Sequence, residues 1–464
     1  MNKDRELFER MPVPRALATL AIPTIISQLI TMVYNLADTF YIGLANNPSM
    51  TAASSLTFTL VVAMNCLSNL FGVGGGSLIS RLLGEKRDRE AGSVCSFSFY
   101  GSLLAAVLYS LLVLIFMEPL LRLLGATDGS IGYATDYAFW VIVIGGIPLT
   151  LSMTMANLLR SEGYAKYASF GLGMGGVINM ALDPLFMFVI LEPGSEVKGA
   201  AIATMISNVL VTLFFFAVFF IIRKKSVLSI NPKVAIPESE HIRAVFVVGI
   251  PSALASLFAC LSNVVLNNLA SGYSDIYGDV PVASVGIAKK IDMLPMNVGM
   301  GLCQGMMPLV AYNYASGDYK RMRSFATCAR VAGIGFAAVC VIIFQFFAEP
   351  IVTIFNGDPL TVKMSRDFLR ILCIAVPLMI INFQMNFTFQ AMGKGKQSLI
   401  LSSLRQGVVN IPLMFLMNYF FGLYGLVFTQ IISDILTTAV SFLLYRGIFK
   451  NLTDKTEKLS ENKA

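Results

Sequence analysis

Apolar runs of about 20 or more residues recur along the whole chain, and each is long enough to cross a hydrocarbon layer of roughly 30 Å as a helix. Twelve such spans are expected, over residues 16–44, 52–80, 93–117, 132–158, 167–191, 199–222, 244–271, 282–313, 324–348, 366–392, 397–421 and 424–446. In lipid a backbone must satisfy its own hydrogen bonds, so runs of this length commit the chain to helices. Composition agrees: 56% of the 464 residues are hydrophobic and only 13% are charged, against roughly 25% charged in a soluble protein. The fold class is an all-α membrane protein. Asp4, Glu6 and Glu9 interrupt the basic start and the first run can span, so it is read as a resident helix rather than a cleaved signal peptide.

The net charge of +7 does not point to nucleic acid, because the basic residues are confined to alternate connections. Arg81, Lys86, Arg87 and Arg89 lie in one, Arg223, Lys224, Lys225 and Lys233 in a second, Lys320, Arg321 and Arg323 in a third, and Lys394 and Lys396 in a fourth. The seventh connection has Asp275 and Asp279 only, and the eleventh has no charge. The positive-inside rule then puts both termini in the cytoplasm and the protein in the cell inner membrane, with the bilayer as its partner. Lys363, Arg366 and Arg370, in and after the ninth connection, run against the pattern. The seven cysteines fall inside predicted helices without a CxxC pair, so they read as packing residues and no metal site or cofactor motif is indicated.

The chain also repeats itself. Ile22-Pro23 corresponds to Ile250-Pro251, Glu118-Pro119 to Glu349-Pro350, and Pro148 with Asn157 to Pro377 with Asn386. Six spans per half start both halves on the same side. The expectation is two six-helix bundles related by a pseudo-two-fold axis along the membrane normal, with a cavity between them. The divisions are an N-terminal lobe over 1–222, a cytoplasmic linker over 223–243, a C-terminal lobe over 244–446 and a polar, disordered tail over 447–464.

Asp38 is the only charged residue between Arg15 and Arg81. A charge at bilayer depth costs at least about 2.5 kcal/mol, so its default reading is a functional group facing protein or water. The repeat supplies a control: Asp38 aligns with Leu266, so packing alone does not require the acid. Asn179 and Asp183 share one helix face at i and i+4, and the matching stretch of span 11, Asn410-Ile411-Pro412, has no acid. Pro184 favours a break beside Asp183, and Pro23 offers a similar hinge in the first span. Asp38 and Asp183 are the candidate proton or cation site. The competing structural reading makes Asp38 an N-cap or a hydrogen-bond partner of Tyr34 or Asn35, and Asp183 a cap after the break at Pro184. Asp434 fits a functional group and an interhelical polar contact equally well, and Lys289, Lys290 and Asp292 can pair among themselves at i, i+3. Asp434 and Asp292 are thus the possible C-terminal contributors. The GVGGG run at residues 72–76 lacks the GK[ST] of a phosphate loop and reads as close helix packing.

Together, IPTIISQLITMVYNLADTFYIG in span 1, ANLLRSEGYAKY after span 4, NMALDPLFMF in span 5 and GAAIATMISN in span 6 resemble the multidrug and toxic compound extrusion (MATE) transporters, nearest the bacterial MepA-like branch. The resemblance covers essentially the whole chain. It implies an antiporter that exports amphipathic, mainly cationic compounds in exchange for protons or sodium ions by alternating access. It also implies that Asp38 and Asp183 bind the coupling ion, that Asn157, Asn179 and Thr204 support them, and that Pro23 bends. Any sodium ion would sit at Asp38 and Asp183. Members of the other main bacterial branch use acids in spans 7 and 10, where this chain has Ala259 and an uncharged stretch from Ile371 to Gly393. A monomer is expected. The rival within the same superfamily is a lipid-linked precursor flippase, which usually has two further helices and a basic cavity. An enzyme is disfavoured because no HExxH, histidine pair or activated nucleophile lies at membrane depth.

Overall fold

The computed structural model describes residues 3–45, 47–273, 276, 278 and 280–461. Asp275 and Asp279, used above for topology, lie outside the described residues. Among the described residues the chain is helical: α1 Lys3–Glu9, α2 Val13–Leu44, α3 Pro48–Gly84, α4 Asp88–Ile115, α5 Met117–Leu123, α6 Ile131–Ala138, α7 Gly146–Ser161, α8 Ala165–Leu185, α9 Glu196–Ile222, α10 Ser239–Ser271, α11 Val280–Ala315, α12 Tyr319–Thr353, α13 Pro359–Ala391, α14 Gly395–Ser403 and α15 Asn410–Glu461.

These helices account for all the expected spans. Nine stretches of the described residues are long and apolar enough to cross a membrane unaided, and a tenth is the pair 131–144 and 146–161, bent by 47°. The eleventh, α11, carries Lys289, Lys290 and Asp292 and so misses a purely apolar criterion. The twelfth is hidden because 395–448 runs as one helical stretch through Gly422, whose φ of 62° and ψ of −149° divide it. Local chemistry sets several helix ends. Asn47 caps α3 by accepting from the Ser49 N–H at 3.0 Å, with Pro48 in the first turn. Before α13, Asp358 accepts from the Thr361 N–H at 2.8 Å and its hydroxyl at 2.7 Å, and these bonds hold its carboxyl below the usual carboxylate range.

Three differences from the expected elements stand out. The break at Pro184 is instead a change of winding: α8 runs on to Leu185 and continues as a π-helical turn over Phe186–Ile190. Among the described residues the chain continues as helix past the expected end of the last span, since α15 extends to Glu461. The N-terminus forms α1, whose Phe8 ring stacks on Tyr312 at 4.7 Å while Glu9 accepts the Tyr312 hydroxyl at 2.6 Å.

The chain packs as two compact units that cut across the helices. Unit 1 comprises Met1–Cys260, Asn297–Ala329 and Gln390–Gly395. Its core joins Ile42, Met64, Val113, Tyr137, Ile142 and Met187. Leu104, Leu108, Leu111 and Ile115 form an outward stripe on α4, the pattern of a helix whose far side meets lipid. The glycines expected to serve close packing do so: a Cβ on Gly72 would stand 2.9 Å from Asn157 Nδ2 and one on Gly76 3.2 Å from the Asn157 carbonyl. The 223–243 linker is strapped along one face of α4, where Ser93, Ser96 and Tyr100 donate to the Val234, Ser229 and Ile230 carbonyls. Unit 2 comprises Leu261–Met296, Arg330–Phe389 and Lys396–Ala464, around a core of Leu266, Phe344, Phe368, Cys373, Met414 and Leu426.

Candidate functional site

In unit 1, α2 and α8 approach closely because α8 offers glycine where α2 offers bulk. A Cβ on Gly173 would lie 3.0 Å from Ile30 Cδ1, and one on Gly176 3.0 Å from Ile30 Cγ2 and 3.3 Å from Tyr34 Cδ1. Ile30, Tyr34 and Asp38 recur every fourth residue on one face of α2. Seating the first two against glycine therefore brings Asp38 toward the α8 face that carries Asn179 and Asp183.

The polar groups there are short of donors. Asn179 Nδ2 donates to Asp183 Oδ1 at 3.3 Å and to Thr204 Oγ1 of α9 at 3.2 Å. Asp183 is 0% exposed and Asn179 is 2% exposed. Asp183 Oδ2, Asn179 Oδ1 and Asp38 Oδ1 are all buried without a hydrogen-bond partner. Asp38 and Asp183 lie within each other's electrostatic field, and Tyr34 lies in the field of both. Buried oxygens of this kind are costly unless something donates to them or binds them. A proton or a small cation meets that need, and the donor set of two carboxylates, an amide oxygen and a hydroxyl is one that hard cations accept.

Not every sequence candidate joins this group. Asn157 on α7 instead accepts from Arg160 Nη1 at 3.0 Å. Asn35 is exposed and has no side-chain bond to Asp38 among the described residues. The reading of Asp38 as a structural partner of Tyr34 or Asn35 therefore finds no hydrogen bond to support it. Pro23 sits within α2, which continues through it. Asp434 and Asp292 lie in unit 2. Sequence reasoning missed Tyr137 of α6, a buried phenol in the field of Asp38, Asp183 and Tyr34. Its signal was present in the mixture of polar and apolar residues of IGYATDYA, but nothing in that stretch says which helix it meets.

Long apolar helices in two repeats, with orphaned carboxylate oxygens held inside one of them, define a multi-pass membrane transporter. A family model, MatE, matches the chain twice, over residues 23–185 and 251–416, so the copies begin at Pro23 and Pro251. The chain belongs to this family, the MATE transporters, and is not an enzyme. It is 32% identical to a multidrug export protein MepA of Staphylococcus saprophyticus over 98% of this chain and 99% of the relative. It is 31% identical to a MepA of Staphylococcus aureus strain MRSA252 over 99% and 100%. Among solved structures, a MATE protein in complex with MaD3S superposes with a TM-score of 0.90 at 25% identity, covering 98% of this chain and 100% of that one.

Proposed function

We propose that this protein is a secondary antiporter of the bacterial cytoplasmic membrane that exports amphipathic, mainly cationic drugs in exchange for protons, or for sodium ions at the same acids. Both termini lie in the cytoplasm, and the monomer is the working unit. Its relatives are named for multidrug export. The observation that carries the reading is the set of three buried oxygens, on Asp38, Asn179 and Asp183, that no protein donor satisfies.

The mechanism follows from competition. A cationic substrate and the coupling ion both favour ionised acids, so a proton arriving from outside weakens the hold on substrate and favours its release there. Resetting a two-state equilibrium from mostly one form to mostly the other takes about 5.5 kcal/mol of differential binding. Asp38 and Asp183 together offer two exchangeable charges toward that requirement. Pro23 and Pro184 are the places where α2 and α8 yield as the charges change.

The test is ethidium or fluoroquinolone efflux from cells carrying Asp38→Asn or Asp183→Asn, with everted vesicles given a proton gradient or a sodium gradient singly. Loss of export in both variants and drive by one gradient alone are expected. Normal export in both variants defeats the proposal.

A further inference from the structure

Unit 2 holds a second group of ionisable side chains inside its helices, buried at Arg405 and Asp434 and half-buried at Lys289 and Asp292, and its members are not equivalent. Asp434 is saturated: Oδ1 accepts from Arg405 Nε at 2.6 Å and Asn382 Nδ2 at 3.1 Å, and Oδ2 accepts from Gln430 Nε2 at 3.0 Å. The Arg405 guanidinium also lies 4.6 Å from the centre of the Phe383 ring. With its charge matched and every oxygen bonded, this pair has nothing left to exchange.

Lys289 and Asp292 on α11 are different. They stand three residues apart on one helix face, near enough to pair, and each lies in the other's electrostatic field. Yet no ion pair within 4.0 Å joins them, so the pairing that their spacing allows is not made. Asp292 Oδ1 is buried without a partner. Lys289 has no hydrogen-bond or ion-pair partner among the described residues and faces a cavity that it lines with Gln430, between walls that include Leu266, Phe368, Met414 and Leu426. The other titratable groups around Asp292 are Arg405 and Asp434, with Cys340 of α12 and Cys373 of α13. Lys290 is exposed.

A half-buried ammonium and carboxylate one turn apart but unjoined, with a carboxylate oxygen out of reach of any donor, are costlier than either of two neighbouring states. In one, Asp292 carries a proton and Lys289 is hydrated in the cavity. In the other, Asp292 is ionised and Lys289 swings onto it. We propose that Asp292 is a second proton-binding site of the transport cycle, located in the C-terminal repeat, with Lys289 as the counter-charge that takes the proton's place. Each cycle then moves one proton more than the acids of unit 1 account for. The inference rests on the proton-coupled export proposed above and adds a coupling group to it.

The experiment measures the equilibrium ethidium gradient across liposomes holding the purified protein, with the membrane potential clamped at zero and a known pH gradient imposed. Each exchanged proton multiplies the ethidium gradient by about tenfold per pH unit. Asp292→Asn is expected to lower it by one such factor, and Lys290→Gln to leave it unchanged. Lys289→Gln is expected to match Asp292→Asn, because without its counter-charge Asp292 keeps the proton throughout the cycle. Ethidium–ethidium exchange verifies that each variant folds and carries cargo, and if Asp292→Asn does not, Lys289→Gln decides. Wild-type gradients in both variants overturn the proposal. A wild-type protein that ignores the pH gradient overturns the proton-coupled reading, and this inference with it.

Discussion

Asn179 and Asp183 are joined by one hydrogen bond across a single turn of α8, and the same amide nitrogen reaches Thr204 on α9. Asn179 is thus the only donor on Asp183 among the described side chains, and it ties the acid to the neighbouring helix. A hydrogen bond to a charged group contributes about 1.5–3 kcal/mol. Asn179→Leu should therefore slow ethidium efflux at least about tenfold at equal expression. Thr204→Val removes only the outer bond and should cost less. Equal losses would show that the acid is not positioned through the amide.

The saturation of Asp434 makes a separate prediction about stability. Removing one member of a buried ion pair leaves an uncompensated charge and costs about 3–5 kcal/mol, whereas replacing both by apolar residues is often neutral or better. Arg405 is 8% and Asp434 0% exposed. Arg405→Met alone should lower the melting temperature of the detergent-purified protein sharply. Arg405→Met with Asp434→Leu should recover most of the loss. A double variant no better than the single would mean that Asp434 does more than neutralise the arginine.

These two sites show what was legible in the sequence and what was not. The spans, the repeat and the Asn179–Asp183 pair were legible because each depends on periodicity within one stretch of chain. The approach of α2 to α8 was harder, since it needs Gly173 and Gly176 to face Ile30 and Tyr34, and no single helix states its partner. Tyr137 was missed for the same reason. The resemblance grouped Asn157 with the acids, whereas its side chain accepts from Arg160, and the i, i+3 spacing that allowed Lys289 to pair with Asp292 does not by itself bring them within bonding distance. The expected break at Pro184 failed differently: the backbone absorbs the proline by widening to a π-turn instead of ending the helix.

Glu162 supports a prediction about the linker. It is 6% exposed and accepts from the Val227 N–H at 2.9 Å and from the Ser226 hydroxyl, pinning the start of the 223–243 segment to the end of α7. Leaving a buried donor unsatisfied costs about 1–3 kcal/mol. Glu162→Ala should raise the opened population of this segment about tenfold, read as faster trypsin cleavage at Lys224 and Lys225. Unchanged cleavage would mean that the bonds from Ser93, Ser96 and Tyr100 hold the linker by themselves.

Gly422 separates the last two spans, and its backbone decides how they are joined. Its φ of 62° and ψ of −149° lie where only glycine is at ease, and forcing another residue there costs of order 1–3 kcal/mol. A Cβ would meet nothing closer than the Tyr273 hydroxyl at 3.4 Å, so the cost of Gly422→Ala is conformational rather than steric. Gly447 is the control: it lies within the helical part of α15 with nothing within 4 Å of an added Cβ. There alanine should stabilise by about 0.5–1 kcal/mol through its helix propensity. The two substitutions should thus shift the melting temperature in opposite directions although both add one methyl group to an open site. A Gly422→Ala protein as stable as the wild type would mean that spans 11 and 12 can be joined by an ordinary helical turn.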